Sequence, residues 1–274
     1  MGCGNVRKSP ENGLTCYLDK QMSMLGVSLL TISAGDTYEL ETGAHEYGLL
    51  LIQGDIFVEC CDERYHLGAR ENPFNCPPWA LLSPSGERIK ITSVSNSSVG
   101  LGYAPSEKKN KCCFITPQHP GGGKRGIDNW SREVRLILWN DNTEGCRLMI
   151  GETIVPPGNW SSFPPHRHQH MRPGIEAAYE EAYLFRFSRP SGFGFVGQYS
   201  DMHDMDQAFC VRENDLVYMD SGYHPVVNSP AGWMYQATFM AGDSRVSSAA
   251  VDEQYQFLLD GAKIGNPYQN QKTK

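Results

Sequence analysis

The chain has no run of about 18 consecutive apolar residues, the length a membrane-crossing helix needs. Its start, Met1 to Lys8, is polar and lacks the apolar centre of a secretion signal, and Val6 stands where a myristoylation motif carries Ser or Thr. A cytoplasmic location with no membrane partner is the expectation. Basic residues are in deficit, 24 Lys and Arg against 31 Asp and Glu, so the net charge of -7 leaves no electrostatic footprint for a nucleic acid. An anionic ligand would have to be met by local cations. No C-x-x-C occurs among the nine cysteines, an odd number with two adjacent pairs, Cys60-Cys61 and Cys112-Cys113. That excludes a zinc ribbon and a disulfide framework and reads as reduced thiols.

What is present is a globular chain, 40% hydrophobic, of a length that suits one or two domains. From Met24 onward, short apolar runs alternate with turn residues: Val27–Ile32, then Tyr47–Gln53 and Ile56–Cys60 flanking Gly54-Asp55 as a hairpin would. Many such strands at this spacing indicate an all-β sandwich or barrel with little helix. Residues 1–20 read as an irregular lead-in, 106–129 as a Pro-, Gly- and Lys-rich linker, and 265–274 as a frayed tail. Val251 to Leu259 carries apolar residues at helical spacing.

The chemistry gathers between residues 156 and 228. Pro164-Pro165-His166-Arg167-His168 puts two imidazoles at i and i+2, one face of an extended segment. Glu180 and Glu181 open an apolar strand ending at Phe187, and His224 lies in the turn Asp220-Ser-Gly-Tyr-His-Pro225. Imidazole is the commonest protein metal ligand, and a carboxylate beside three of them makes a mixed nitrogen and oxygen site with open positions. The His pair alone, near a Pro-Pro turn, would mean little; with the Glu and the third His in this order, metal binding outweighs coincidence. Zn, Mn, Fe, Co and Ni all suit such a set.

The order His-x-His, Glu, distant Gly-x-His resembles the two metal motifs of cupin barrels. Pro157-Gly-Asn-Trp-Ser-Ser-Phe-Pro-Pro-His-Arg-His168 is similar to the signature of the 5-deoxy-glucuronate isomerases of myo-inositol catabolism. Gly192-Phe-Gly-Phe195, Gly222-Tyr-His-Pro-Val226 and Met240-Ala-Gly242 resemble further blocks of that family in the same order. The resemblance implies a bicupin, two tandem jelly-roll-like barrels: residues 21–105 without a metal motif, and residues 130–264 holding one divalent ion on His166, His168, Glu181 and His224. In the first half, Glu39-Leu-Glu41-Thr-Gly-Ala-His45 stands in place of a His-x-His, and His45 and His66 read as surface or hydrogen-bonded residues. Matching the family motif selects Glu181 over Glu180, which alternation along the strand leaves open.

The implied activity is an aldose to ketose isomerisation, 5-deoxy-glucuronate to 5-dehydro-2-deoxy-gluconate, on a small anionic sugar. The other readings are a metal-dependent cupin dioxygenase, distinguished by oxygen consumption, and a sugar-acid-binding cupin without turnover. A base for the carbon-bound proton has four candidates close in sequence, Glu180, Tyr183, His170 and Tyr223; a hydride shift would need none. The substrate carboxylate calls for an Arg. Arg186 stands where the family carries one, on the opposite strand face from Glu181, and Arg132 and Arg167 are the other candidates. The segment 169–180 is much longer than its counterpart in most cupins, a length that beside a site marks a functional or mobile loop. Exposed strand edges permit a homo-oligomer.

Overall fold

The structure is a computed structural model that describes residues 2–107, 111–139, 145–200 and 205–259. It is all-β, with two short 3-10 helices, Asp128–Trp130 and Glu253–Leu258, among the described residues. The second falls within the segment expected to be helical and is capped by the Asp252 side chain, which accepts from the Gln254 N–H at 3.0 Å. The expected tail at 265–274 lies outside the described residues. No described helix is long and apolar enough to cross a membrane.

Apart from Cys3–Val6, which joins the second barrel, the strands up to Ile115 form one barrel and those from Gly121 onward form the other. The first is built on His45–Cys60, whose early residues pair with Trp79–Ser83 and Ser97–Pro105, and whose late residues pair with Glu63–Arg70 and Arg88–Ser93. Gly54-Asp55 is therefore a bend and not the expected hairpin. Register shifts between Leu51 and Gln53 and between Gly54 and Ile56 turn the strand from one sheet into the other. Gly54 sits at φ 111, and a Cβ there would come within 2.6 Å of the Ser97 backbone, so glycine makes the corner possible. The chain reverses later, at Cys61-Asp62.

The second barrel has a seven-stranded sheet in the order Cys3–Val6, Leu216–Met219, Tyr179–Phe187, Met234–Gly242, Leu148–Val155, Arg132–Leu138, Gly121–Arg125. A four-stranded sheet faces it. Two stretches expected to be irregular are strands. Cys3–Val6 pairs with Leu216–Met219, and Gly13–Leu18 pairs with Gly26–Ile32, so the lead-in joins both barrels. Within the expected linker, Cys113–Ile115 pairs with Trp79–Ser83, and Gly121–Arg125 with Arg132–Leu138. These are edge strands that rest on backbone pairing and carry little apolar alternation.

Because the two large sheets pack against each other, their central strands, such as Gly26–Ile32, Leu148–Val155 and Met234–Gly242, are buried on both faces. Leu50 and Ile52 join Leu148, Ile150 and Phe239 in the core between the barrels, while Leu49 and Leu51 fill the first barrel. The sheets meet closely over glycines. A Cβ on Gly48 would lie 2.4 Å from Ile150 Cδ1, and one on Gly102 would lie 2.6 Å from Phe239 Cδ1. Buried ions also cross this interface. Arg70 of the first half donates to both carboxylate oxygens of Glu152 at 2.7 and 3.0 Å, and both side chains are fully buried. Arg135 and Tyr235 donate to the same carboxylate, leaving it satisfied.

Candidate metal centre

The strand Tyr179–Phe187 separates the site from the scaffold. Its odd residues, Tyr179, Glu181, Tyr183, Phe185 and Phe187, face the second barrel's interior, and Ala182 and Leu184 face the first barrel. Glu180 follows the second set: its carboxylate accepts the N–H groups of Met24 and Leu25 at 2.9 and 2.8 Å and so docks the first half. Arg186 shares that face and donates to Ser98 and Glu213 at 2.8 and 2.9 Å. Neither the candidate base Glu180 nor the candidate carboxylate ligand Arg186 reaches the interior, because a regular strand directs even residues outward.

His166 lies in a two-residue strand paired with Ala250–Val251, and His168 follows directly. His224 is set by a turn in which Tyr223 bridges to Tyr199. Gly222, at φ 78, has Tyr199 O only 2.8 Å from where a Cβ would be. A side chain there would push the turn, and His224 with it, off the neighbouring strand.

His168 Nε2 lies 2.8 Å and His224 Nε2 3.3 Å from Glu181 Oε2. One ligand atom from each of His168, Glu181 and His224 falls within a 4.8 Å sphere of mutual distance. His166 stands outside that tight group, its ring edge-on to His224 with centroids 4.9 Å apart. The three Nδ1 atoms share one arrangement. Each is bonded to a backbone carbonyl, His166 to Pro164 at 3.0 Å, His168 to Tyr179 at 2.8 Å and His224 to Gly222 at 3.1 Å. A carbonyl only accepts, so Nδ1 holds the proton and Nε2 presents its lone pair.

That arrangement has an electrostatic consequence. With Nδ1–H committed, His168 Nε2 and the Glu181 carboxylate face each other as two lone pairs at hydrogen-bond distance, and a cation or an extra proton must lie between them. His224 Nε2 is buried without a hydrogen-bond partner. Burial and the neighbouring His224 push the His166 pKa down to about 3, so that imidazole is neutral near pH 7. Burial acts to raise the Glu181 pKa, but the His168 and His224 imidazoles beside it outweigh burial and hold the carboxyl well below its usual range. An anionic carboxylate and Nε2 lone pairs directed at one buried point form a donor set that fits a divalent cation.

A cavity of about 280 Å³ opens beside this point, walled by His166, Glu181, Tyr183, Arg132, Gln236 and Thr238 among others. Tyr183 bonds to Ser162 through their hydroxyls at 3.0 Å, and burial, with Glu181 nearby, keeps its phenol protonated far above neutral pH. Arg132 is pushed down to about 10 by burial and by Arg125 but stays cationic. It donates to the Trp130 carbonyl at 3.1 Å, and among the described residues no carboxylate pairs with it. Gln236 directs a buried, unpaired Oε1 from the adjacent strand of the same sheet. Ser162, Gln236 and Thr238 were not singled out in the sequence. The signal was two polar residues on one face of an otherwise apolar strand, Met234–Gly242.

The remaining candidates lie elsewhere. Tyr223 stacks on Tyr199 with centroids 5.1 Å apart, and Arg167 sits over its ring at 5.2 Å, both walling a separate cleft. His170 is exposed and bonds to the Gln169 amide at 2.7 Å. The segment 169–180 is tied down: buried Glu176 accepts the N–H groups of Gln169 and His170 at 2.8 and 3.1 Å, and Gln169 Oε1 accepts the Gly222 N–H at 2.9 Å. These bonds make it a clamp on the His224 turn.

The profile of the KduI/IolB family matches residues 6–258. The chain belongs to that family. The 5-deoxy-glucuronate isomerase of Geobacillus thermodenitrificans is 29% identical over 260 residues, 94% of this chain and 92% of its own. That of Bacillus subtilis strain 168 is 29% identical over 245 residues, 88% and 90% of the two chains. Among solved structures, an IolB-like protein of Salmonella typhimurium superposes with a TM-score of 0.89 at 26% identity, covering 93% of this chain and 98% of that one. Bacillus subtilis oxalate decarboxylase, studied for its Mn(II) centres, superposes at 0.58 with 12% identity over 92% and 78% of the chains, a likeness of fold. Membership of the KduI/IolB family makes this chain an isomerase of the aldose-ketose type on a bicupin scaffold.

Proposed function

We propose that the chain isomerises 5-deoxy-glucuronate to 5-dehydro-2-deoxy-gluconate with one divalent metal ion held by His166, His168, Glu181 and His224. The observation that carries this reading is the cavity walled by His166, Glu181, the protonated Tyr183 phenol and an acid-free Arg132, with His168 and His224 gathered on the same Glu181 carboxylate behind it. It rests also on relatives whose name states that substrate. A bound ion would act as a Lewis acid toward the carbonyl and adjacent hydroxyl oxygens of the sugar.

The chain's own groups do the rest. Arg132 takes the substrate carboxylate through guanidinium N–H groups not used on Trp130, and this fixes which end of the sugar lies beside the imidazoles. Isomerisation reduces the aldehyde carbon and oxidises its neighbour, moving one hydrogen between the carbons and one proton between the oxygens, with no net redox change. Tyr183, neutral and bonded to Ser162, donates its hydroxyl proton toward the oxygen that gains one, and Ser162 relays the proton lost by the other. Gln236 and Thr238 offer polar contacts to the sugar hydroxyls. Of the four base candidates, only Tyr183 reaches the cavity, and a phenol with so high a pKa serves as a donor. A hydride passing directly between the carbons needs no further side chain.

The test is to follow the aldehyde proton of 5-deoxy-glucuronate by NMR with unaltered protein and with His168→Ala and His224→Ala. Loss of turnover and of bound metal together, with the β-sheet circular dichroism retained, supports the assignment. Turnover retained in either variant removes it.

A further inference from the structure

The first barrel, which lacks the imidazole site, carries a second cluster of metal-ligating atoms far from it in the chain. Cys60 Sγ lies 3.3 Å from Cys112 Sγ and 3.6 Å from Cys61 Sγ, and all three sulfurs fall within 4.8 Å of one another. We propose that Cys60, Cys61 and Cys112 form a three-thiolate site for a thiophilic d¹⁰ cation, Zn(II) or Cu(I). With metal–sulfur distances of about 2.3 Å, three sulfurs around one ion stand about 3.8–4.0 Å apart, so to admit the ion the Cys60–Cys112 pair, now at 3.3 Å, opens by about 0.5–0.7 Å and the Cys60–Cys61 pair, now at 3.6 Å, by about 0.2–0.4 Å. Thiolate softness selects these ions over Mg or Mn.

Three features place the sulfurs there by construction. Cys61 and Asp62 form the two-residue turn of the hairpin between the paired residues Cys60 and Glu63, and both have positive φ, 55 and 59. Such a turn favours Asn-Gly, and cysteine gives no backbone advantage at its first position. What the side chain does there is bring a third sulfur to the pair. Cys112 comes from the other direction, on the arm that continues into Cys113–Ile115. Phe114 on that arm stacks with Trp79 and packs on Tyr65, with centroids 5.9 and 5.3 Å away, which holds the arm in place. Ser83 Oγ, 3.1 Å from Cys60 Sγ, supports the buried sulfur from the inner side.

The outer side is open. Cys60 and Cys61 line a surface cleft with Glu59, Glu87, Arg88 and Lys90, through which an ion enters and a water can complete the coordination. A bound ion would tie the arm between the barrels to the hairpin tip, closing a loop between residues 52 apart in sequence. The site is independent of the isomerase reading and shares no residue with it.

The test uses Cd(II) as a spectroscopic probe on reduced, metal-stripped full-length protein carrying His168→Ala and His224→Ala, which removes the competing imidazole centre. The expected result is an ultraviolet thiolate-to-metal band that saturates at one ion per chain and an affinity at least tenfold weaker after Cys60→Ser or Cys112→Ser. Absence of the band, or a band untouched by both substitutions, overturns the proposal. Alkylation mapped by mass spectrometry on the unaltered protein gives a second reading that needs no cysteine variant. Cd(II) should shield Cys60, Cys61 and Cys112 and leave exposed Cys16 reactive. Equal labelling with and without Cd(II) overturns the site. So does reduced protein that binds no ion yet forms a Cys60–Cys112 disulfide under mild oxidant, since the pair is then a redox couple.

Discussion

Replacing Arg132 with Gln removes the buried one of the two arginines that line the cavity, Arg125 being the other, while keeping a planar side chain. A hydrogen bond to a charged group contributes about 1.5–3 kcal/mol, so if Arg132 holds the substrate carboxylate, kcat/KM should fall about 10- to 150-fold. The loss should lie mainly in KM, because the carboxylate keeps its charge through the reaction. Stability should respond differently. Arg132 bonds to one backbone carbonyl and to no described carboxylate, and burial already lowers its pKa, so removing the charge should leave the urea midpoint unchanged or raised. A substrate analogue with the carboxylate reduced to an alcohol should lose the same factor on the unaltered enzyme and lose nothing further on Arg132→Gln. Steady-state kinetics with both substrates and a urea melt decide the matter. Unchanged KM, or a clear drop in the urea midpoint with equal losses on both substrates, would refute the assignment.

Further expectations follow from the same contacts. Tyr183→Phe removes the donor hydroxyl and keeps the ring, so kcat should drop about 100-fold with little change in KM, measured in the same NMR assay. Glu152→Ala strands fully buried Arg70 and should cost about 3–5 kcal/mol in chemical unfolding, as expected when one partner of a buried pair is lost. Gly102→Val drives a side chain into Phe239 across the sheets and should cost about 1–3 kcal/mol or more by the same measurement. For metal-free protein, His166 has a folded pKa of about 3, below its unfolded value of 6.5. Its contribution is therefore present above pH 6.5 and is lost as pH falls toward 3. Glu181, also depressed, adds a loss below its unfolded value of 4.5. Urea midpoints should decline steadily from pH 6.5 downward, and His166→Asn should flatten the upper part of that decline.

The proposed ligand order is legible because each residue carries a local mark: a Pro-Pro turn before His166, a charged pair at the head of an apolar strand, and a Gly-containing turn before His224. The strand face is not. Glu180 and Glu181 look alike until one sees that Ala182 and Leu184 pack on the first barrel and Tyr183 does not. Both faces of that strand are buried, so apolar alternation carries no signal. The same condition hid the bend at Gly54, where a glycine before Asp reads as a hairpin, although pairing with two different sheets made it a corner. Cys3–Val6 escaped because its partner lies more than 200 residues away and the pairing is through backbone groups. Arg132 was one of three candidate arginines, and only the position of its strand beside the cavity separates it from Arg167 and Arg186.

The most direct measurement is turnover of 5-deoxy-glucuronate by purified protein before and after chelation, with metal content read by elemental analysis on the same samples. Turnover lost with the ion and restored by one equivalent of a divalent metal is the predicted result. Full turnover from protein shown to be free of metal would contradict the centre at His166, His168, Glu181 and His224.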